Sequence, residues 1–221
     1  MVQRVYEQAS KAAAFQKVVV ATDHQQIFNT VKNFGGEVLM TGEQHRNGTE
    51  RCFEALQLMP GQYDYVVNIQ GDEPFIKPGQ LDELSTLLNG QVQLATMVSK
   101  IKANEDLWHA GVMKVVFNRQ HETLYFSREC IPHLRDVPKA DWLQKGTFYK
   151  HVCIYAYRAD VLAHVVKLPP SPLEQSESLE QLRWLENGYT IKTGITTHES
   201  MSVDTPADLE RARQWARDNG L

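Results

Sequence analysis

Cysteine is scarce. The 221 residues contain only Cys52, Cys130 and Cys153, scattered and odd in number, with no Cys-x-x-Cys pair. That excludes a disulfide framework and a thiolate metal cluster, and it matches a reduced thiol inventory. Long apolar runs are missing as well: none approaches the ~18 residues that a membrane span needs. The opening MVQRVYEQASKAAAF lacks the apolar stretch of a secretion signal, so the expected location is the cytoplasm. There is no long run of Lys or Arg, and 23 basic side chains face 27 acidic ones for a net charge of −4. A nucleic-acid partner usually leaves a basic footprint, so that class is disfavoured. A small anionic substrate, held by a few local cations, is not.

What the chain does have is core-forming capacity. With 42% hydrophobic and 23% charged residues it is neither disordered nor membrane-embedded. Helical and strand periods alternate along it. Helical spacing is read in the opening segment, QQIFNTVKNF, GTERCFEALQLM, PGQLDELSTLLNG, SPLEQSESLEQLRWLENG and TPADLERARQWARDNG. Strand patterns are read in KVVVATDH, EVLM, YDYVVNI, VQLATMVSK, TFYKHVCIYAYR and YTIKTGIT. MKVVFNRQHETLYFS reads as two strands around a polar turn at Asn118–Gln120. This alternation predicts a three-layer α/β fold on a mostly parallel mixed sheet. The expectation is one domain over residues 1–221, with residues 118–150 breaking the pattern as an inserted lobe.

In open sheets of this kind, ligands collect beyond the carboxyl ends of strands. Asp72, after VVNIQG, sits at such an end. It is either a Mg²⁺ ligand or an ordinary turn residue. Near the C-terminus, Thr205, Pro206 and Asp208 read as a helix start, which leaves Asp204 without a structural task. In TFYKHVCIYAYR the alternation puts His151 and Tyr155 on one face. Ser171-Pro172-Leu173-Glu174 is a capping box with proline at the first helical position. Glu180 and Gln181 flank the buried leucine stripe of that helix. Arg128 and Arg135 bracket Ile131-Pro132, and paired guanidinium forks suit a carboxylate as well as they suit solvent.

Together these stretches resemble the 3-deoxy-manno-octulosonate (Kdo) cytidylyltransferase family, also called CMP-Kdo synthetases. The segments that carry the resemblance are VATDH (20–24), GTER (48–51), VNIQGDEP (67–74), LYFSR…IP (124–132), HVCIYAYR (151–158), SPLE (171–174), LEQLRWLENG (179–188) and VDTPADLE (203–210). They stand in the family's order over essentially the whole chain. The resemblance implies the nucleotide-diphospho-sugar transferase fold and transfer of CMP from CTP to the 2-hydroxyl of Kdo for lipopolysaccharide synthesis. It implies Asp72 and Asp204 as catalytic ligands of Mg²⁺. Asn47, Gly48, Thr49, Arg51 and Gln70 fall on the nucleotide side, with Asn47 where many relatives have Ser. Arg128, Arg135, His151, Tyr155, Glu180 and Gln181 fall in the sugar-acid pocket. The stretch 118–150 corresponds to a dimerisation lobe, implying a homodimer.

The family opens with a strand and a loop resembling I-P-A-R-x-x-S-x-R-x-P-G-K-P, just ahead of the helix with which this sequence begins. That loop supplies Arg and Lys to the triphosphate. The expectation is therefore that the sequence starts late by about 25–30 residues, and that these residues alone turn over poorly and dissolve poorly. Two other readings stand beside Kdo activation. One is a cytidylyltransferase for another sugar acid, such as a sialic acid. The other is a silent dimeric module that binds a CMP-sugar.

Overall fold

The computed structural model describes residues 1–198, 202–203 and 205–218. In chain order the elements are α1 (Val2–Ala9), β1 (Val20–Thr22), α2 (Gln25–Asn33), β2 (Val38–Met40), α3 (Gly48–Leu58), β3 (Tyr65–Ile69), α4 (Pro78–Ser85) and β4 (Leu94–Lys100). There follow α5 (Asn104–Trp108), β5 (Lys114–Phe117), β6 (Thr123–Ser127), α6 (Trp142–Lys145), β7 (Tyr149–Arg158), α7 (Ala159–Val165), α8 (Pro172–Glu177), α9 (Glu180–Glu186), β8 (Ile191–Thr196) and α10 (Pro206–Asp218). The chain divides into two compact units: Met1–Pro60 with Asn68–Asp82 and His198–Leu221, and Gly61–Val67 with Glu83–Thr197.

In the first unit β1 and β2 pair in parallel, Val20 opposite Val38. A parallel pair needs a crossover, and α2 supplies it. His24 caps this helix, its Nδ1 accepting from Gln26 N–H at 3.3 Å. The helix ends at Gly35, whose φ of +78° is one that a side chain would strain. Asn47 caps α3 through Oδ1, which accepts from Glu50 N–H at 2.9 Å. Phe75, Val203 and Ala212 form a buried cluster with Leu209 and Trp215 against it, and the rings of Phe75 and Trp215 lie 4.5 Å apart, edge to face. Thr205 and Asp208 close the start of α10 reciprocally: Thr205 N–H donates to Asp208 Oδ2 at 2.8 Å, and Asp208 N–H to Thr205 Oγ1 at 3.2 Å. This is the capping pattern expected from TPAD.

The second unit is built on a mixed sheet in the order β6-β5-β7-β4-β8, and β3, whose first three residues lie in this unit, also pairs with β7. β4 is its spine, buried from Leu94 to Ser99. It runs parallel to β8 and antiparallel to β7, and β5 runs antiparallel to both β6 and β7. The antiparallel part arises because β5 and β6 form a hairpin around Asn118, whose Oδ1 accepts from Gln120 and Glu122 N–H at 2.9 Å each. The stretch 118–150 contains that turn, β6 and α6. Its Trp142 and Phe148 make a small core with Ile101 and Leu107, flanked by Cys130, Leu134, Val137 and Leu143.

SPLEQSESLEQLRWLENG is two helices, where periodicity alone predicts one. α8 begins at the Ser171–Glu174 capping box and ends at Ser178, whose φ is +52°. A left-handed residue with a side chain costs about 1–2 kcal/mol, so something must hold it there. Arg128 does, donating from Nε to Glu177 C=O at 2.7 Å and from Nη2 to Ser178 C=O at 3.3 Å. Among the described residues no helix is long and apolar enough to cross a membrane.

Candidate active site

The residues expected on the nucleotide side lie in the first unit. Arg51, on the first turn of α3, is bound on three sides. Its guanidinium donates to Asp23 Oδ2 and Thr41 Oγ1 at 2.6 Å each, and to Gly42 C=O at 3.3 Å. Arg51 thus joins α3 to the chain just after β1 and just after β2. The hydrogen bond from Arg51 holds the Asp23 carboxyl below the usual carboxylate range. Asn47 serves first as the cap of α3. Gly48 opens the helix, and the reason for glycine is space: a Cβ there would lie 2.9 Å from Asn68 Nδ2 and 3.5 Å from Gln70 Nε2. Two side-chain amides therefore crowd the start of α3, where N–H groups point outward unpaired by the helix. Thr49 is buried beside them.

Asn68 is a residue that the sequence reading passed over. It is buried, and its Nδ2 has no partner among the described residues. The signal was present, because an amide in the middle of YVVNI interrupts an otherwise apolar strand.

Asp72 stands on the loop beyond β3, partly exposed, and Val203 N–H donates to its carbonyl at 2.9 Å. Asp204, its expected partner, lies outside the described residues.

The residues expected on the sugar side lie in the second unit, and five of the six are linked. His151 and Tyr155 do share a face, with ring centroids 4.8 Å apart, and Trp184 of α9 meets the Tyr155 ring edge-on at 5.2 Å. His151 is buried, and burial pushes its imidazole down to about 3. Burial likewise pushes the Tyr155 phenol well above its ordinary value. His151 N–H donates to Met113 C=O at 2.9 Å, and Gln181 Nε2 approaches Met113 Sδ at 3.7 Å. Arg128 fixes the turn two residues before Glu180. Three carbonyls occupy its guanidinium, Ala110 C=O at 3.2 Å being the third. Five N–H groups in the fork leave two for an anion. Arg135 stands apart, 91% exposed, with Asp136 at 3.4 Å.

Three further positions in this unit escape a linear reading. Thr96 on β4 binds His151. Glu177 binds the backbone of Arg128, accepting its N–H at 2.9 Å and the Ser127 hydroxyl at 2.7 Å. Lys114, fully buried, donates to the carbonyls of His109 at 3.0 Å, Val112 at 2.6 Å and Arg128. Desolvation lowers its ammonium from the ordinary lysine value.

Comparison with known proteins identifies the family. A family model described as Cytidylyltransferase matches residues 1–193. A 3-deoxy-manno-octulosonate cytidylyltransferase from Parabacteroides distasonis is 50% identical over 217 residues, covering 96% of this chain and 86% of the relative. The chain belongs to this family. The Bacteroides thetaiotaomicron member is 48% identical over 221 residues, 98% of this chain and 88% of the relative. A solved structure of CMP:2-keto-3-deoxy-manno-octonic acid synthetase complexed with CTP superposes with a TM-score of 0.89 at 38% identity, covering 99% of this chain and 88% of that one. The fold is thus the nucleotide-diphospho-sugar transferase fold of the family.

Proposed function

We propose that this protein transfers CMP from CTP to the 2-hydroxyl of Kdo, releasing pyrophosphate. The observation that carries the reading is the match, along 99% of the chain, to a CMP-Kdo synthetase complexed with CTP. The hydroxyl oxygen forms a bond to the α-phosphorus, and the bridging oxygen to the β-phosphate leaves with its electron pair. The hydroxyl proton passes to solvent. No covalent enzyme intermediate is required.

On the nucleotide side, the amides of Asn68 and Gln70 and the glycine at 48 suit the close approach of a base edge. On the sugar side, His151 is neutral at physiological pH. With an imidazole held near 3 it is a poor base. Its role is to accept a sugar hydroxyl at Nδ1, which has no partner among the described residues. The two remaining N–H groups of Arg128 suit the Kdo carboxylate, with Glu180 and Gln181 on hydroxyls.

Among the described residues no three His, Cys, Asp or Glu side chains are grouped to hold a metal. Mg²⁺ needs no such cluster: it takes one or two protein carboxylates and completes its shell with phosphate and water. Asp72 fits as one such carboxylate, and Asp204 is proposed as the second. The backbone bond from Val203 to Asp72 supports the pairing. Bound there, the ion would screen phosphate charge and stabilise the transition state. The protein is further proposed to work in the cytoplasm as a homodimer, through the segment 118–150, where Leu124 is 60% exposed.

The test is CMP-Kdo formation from CTP and Kdo with and without Mg²⁺, run beside a sialic acid, with sedimentation to read the oligomer. Metal-dependent CMP-Kdo formation is expected. Transfer to the sialic acid in preference to Kdo would overturn the substrate. Binding of CMP-Kdo with no pyrophosphate release under any metal would replace the enzyme with a silent module.

A further inference from the structure

Arg128 has a second acidic neighbour besides any ligand, and it is held by that neighbour's backbone and side chain at once. Glu177 Oε2 accepts from Arg128 N–H at 2.9 Å, and Oε1 accepts from the Ser127 hydroxyl at 2.7 Å. In return Arg128 Nε donates to the Glu177 carbonyl at 2.7 Å. The last turn of α8 is thereby fastened to the end of β6 by three groups of two adjacent residues. On the other side of Arg128 its own carbonyl is bound by the buried ammonium of Lys114. The backbone of Arg128 thus lies between a carboxylate and a buried cation, each bonded to a different peptide group.

The fastening bears on more than Arg128. Ser178, next to Glu177, is in the left-handed region at φ +52°, and α9 begins two residues later with Glu180 and Gln181. A strained junction persists only where its surroundings over-determine it. Here the surroundings are Glu177 and Arg128. Glu177 has no claim on substrate, since both carboxylate oxygens are already engaged with Ser127 and Arg128.

We propose that Glu177 is a positioning residue for the sugar-acid site: it sets the direction of the Arg128 fork and the start of α9, so that Arg128, Glu180 and Gln181 meet the substrate as one preformed group. This rests on the reading of the second unit as the Kdo side. Preformation matters because a fork that must be ordered on binding gives up part of its affinity to that ordering.

Charge supplies a discriminating sign. Kdo is an anion, so deleting a nearby carboxylate should by itself strengthen Kdo binding. A positioning role predicts the reverse. Glu177→Ala is expected to weaken Kdo binding about tenfold. CTP binding, which draws on the other unit, should stay within about twofold. Glu177→Gln can still accept Arg128 N–H at its carbonyl and donate to Ser127 Oγ, so it should remain within about threefold of the natural protein. The fold should survive these changes, because Arg183 also ties α9 to α8, its Nε donating to Glu174 at 2.6 Å.

The experiment is calorimetric titration of each variant with Kdo and, separately, with CTP, alongside thermal melting. Kdo binding by Glu177→Ala that equals or exceeds the natural protein would overturn the inference, and so would a matched loss of Kdo and CTP affinity. Should Glu177→Ala fail to fold, Ser127→Ala combined with Glu177→Gln carries the same comparison. It leaves the Arg128 N–H bond alone, and a several-fold selective loss for Kdo is expected. A natural protein that takes CTP but no Kdo would overturn the functional reading and this inference with it.

Discussion

Thr96 dictates which nitrogen of His151 carries the proton. Its Oγ1 lies 2.7 Å from Ile154 C=O and 2.7 Å from His151 Nε2. A carbonyl only accepts, so the one hydroxyl proton goes to Ile154, and Nε2 must donate. Nδ1 is then the acceptor, and it is the atom left unpartnered among the described residues. β4 and β7 make this possible through a register shift between Thr96 and Met97, which brings His151 and Ile154 to one hydroxyl.

His151 should therefore govern part of the acid sensitivity of folding. Its folded value, about 3, lies below the ordinary 6.5, because burial disfavours the charged ring. As pH falls below 6.5 the unfolded chain takes the proton first. Stability contributed by the buried neutral ring is present above 6.5 and declines toward pH 3, by up to about 1.4 kcal/mol per pH unit. Urea unfolding at pH 7 and pH 5 should show this slope in the natural protein and a shallower one in His151→Gln. Nitrogen NMR should find a neutral ring with the proton on Nε2 at pH 5. A midpoint near 6.5 in the folded protein would contradict the assignment.

Removing the hydroxyl is the sharper perturbation. Thr96→Val keeps shape at a position with no exposure, yet removes the hydroxyl that Ile154 C=O and His151 Nε2 both bind. Each buried orphan costs about 1–3 kcal/mol. The variant should unfold at lower urea, by at least ~1 kcal/mol, and lose the Nε2 tautomer. A loss under ~0.5 kcal/mol, within the range of neutral surface changes, would mean that the hydroxyl does not hold the ring.

How far these relationships can be read from the chain depends on their span. The caps are local: Ser171-Pro172-x-Glu174 and Thr205-Pro206-x-Asp208 declare their helix starts within four residues, and Asn47 its own. The face shared by His151 and Tyr155 follows from a period of two. Thr96 is 55 residues from His151 and reads as one more small residue in a buried strand. Its role exists only once register is fixed. The break at Ser178 is hidden for a similar reason, since helical periodicity runs through it. What bends the chain there is Arg128, 50 residues away. Arg128 and Arg135 look alike in sequence and part company in the fold, one bonded to three carbonyls and the other exposed.

Gly48 offers a test in which stability and binding move apart. Alanine is the better helix former by about 0.5–1 kcal/mol, so Gly48→Ala should not weaken α3 itself. Its Cβ would meet Asn68 Nδ2 at 2.9 Å, closer than real Cβ contacts come, and would push that amide and its neighbour Gln70. The expected result is unfolding free energy within ~1 kcal/mol of the natural protein, with CTP affinity down about tenfold by calorimetry. Unchanged CTP affinity would remove the Asn68–Gln70 amides from the nucleotide site.

Asp72 separates architecture from chemistry because its two roles use different atoms. The carbonyl receives Val203 N–H at 2.9 Å and belongs to the backbone, so Asp72→Asn leaves that bond in place. The side chain keeps its shape and loses its charge. If the carboxylate holds Mg²⁺ against the reacting phosphate, the change removes several kcal/mol of transition-state stabilisation, and turnover should fall at least about a hundredfold. Because CTP retains its base contacts, its affinity should change by less than about fivefold. Pyrophosphate release gives the first quantity and calorimetry the second. Turnover like that of the natural protein would dismiss Asp72 as a ligand. A loss confined to CTP affinity would make it a ground-state contact, with no part in stabilising the transferred phosphate.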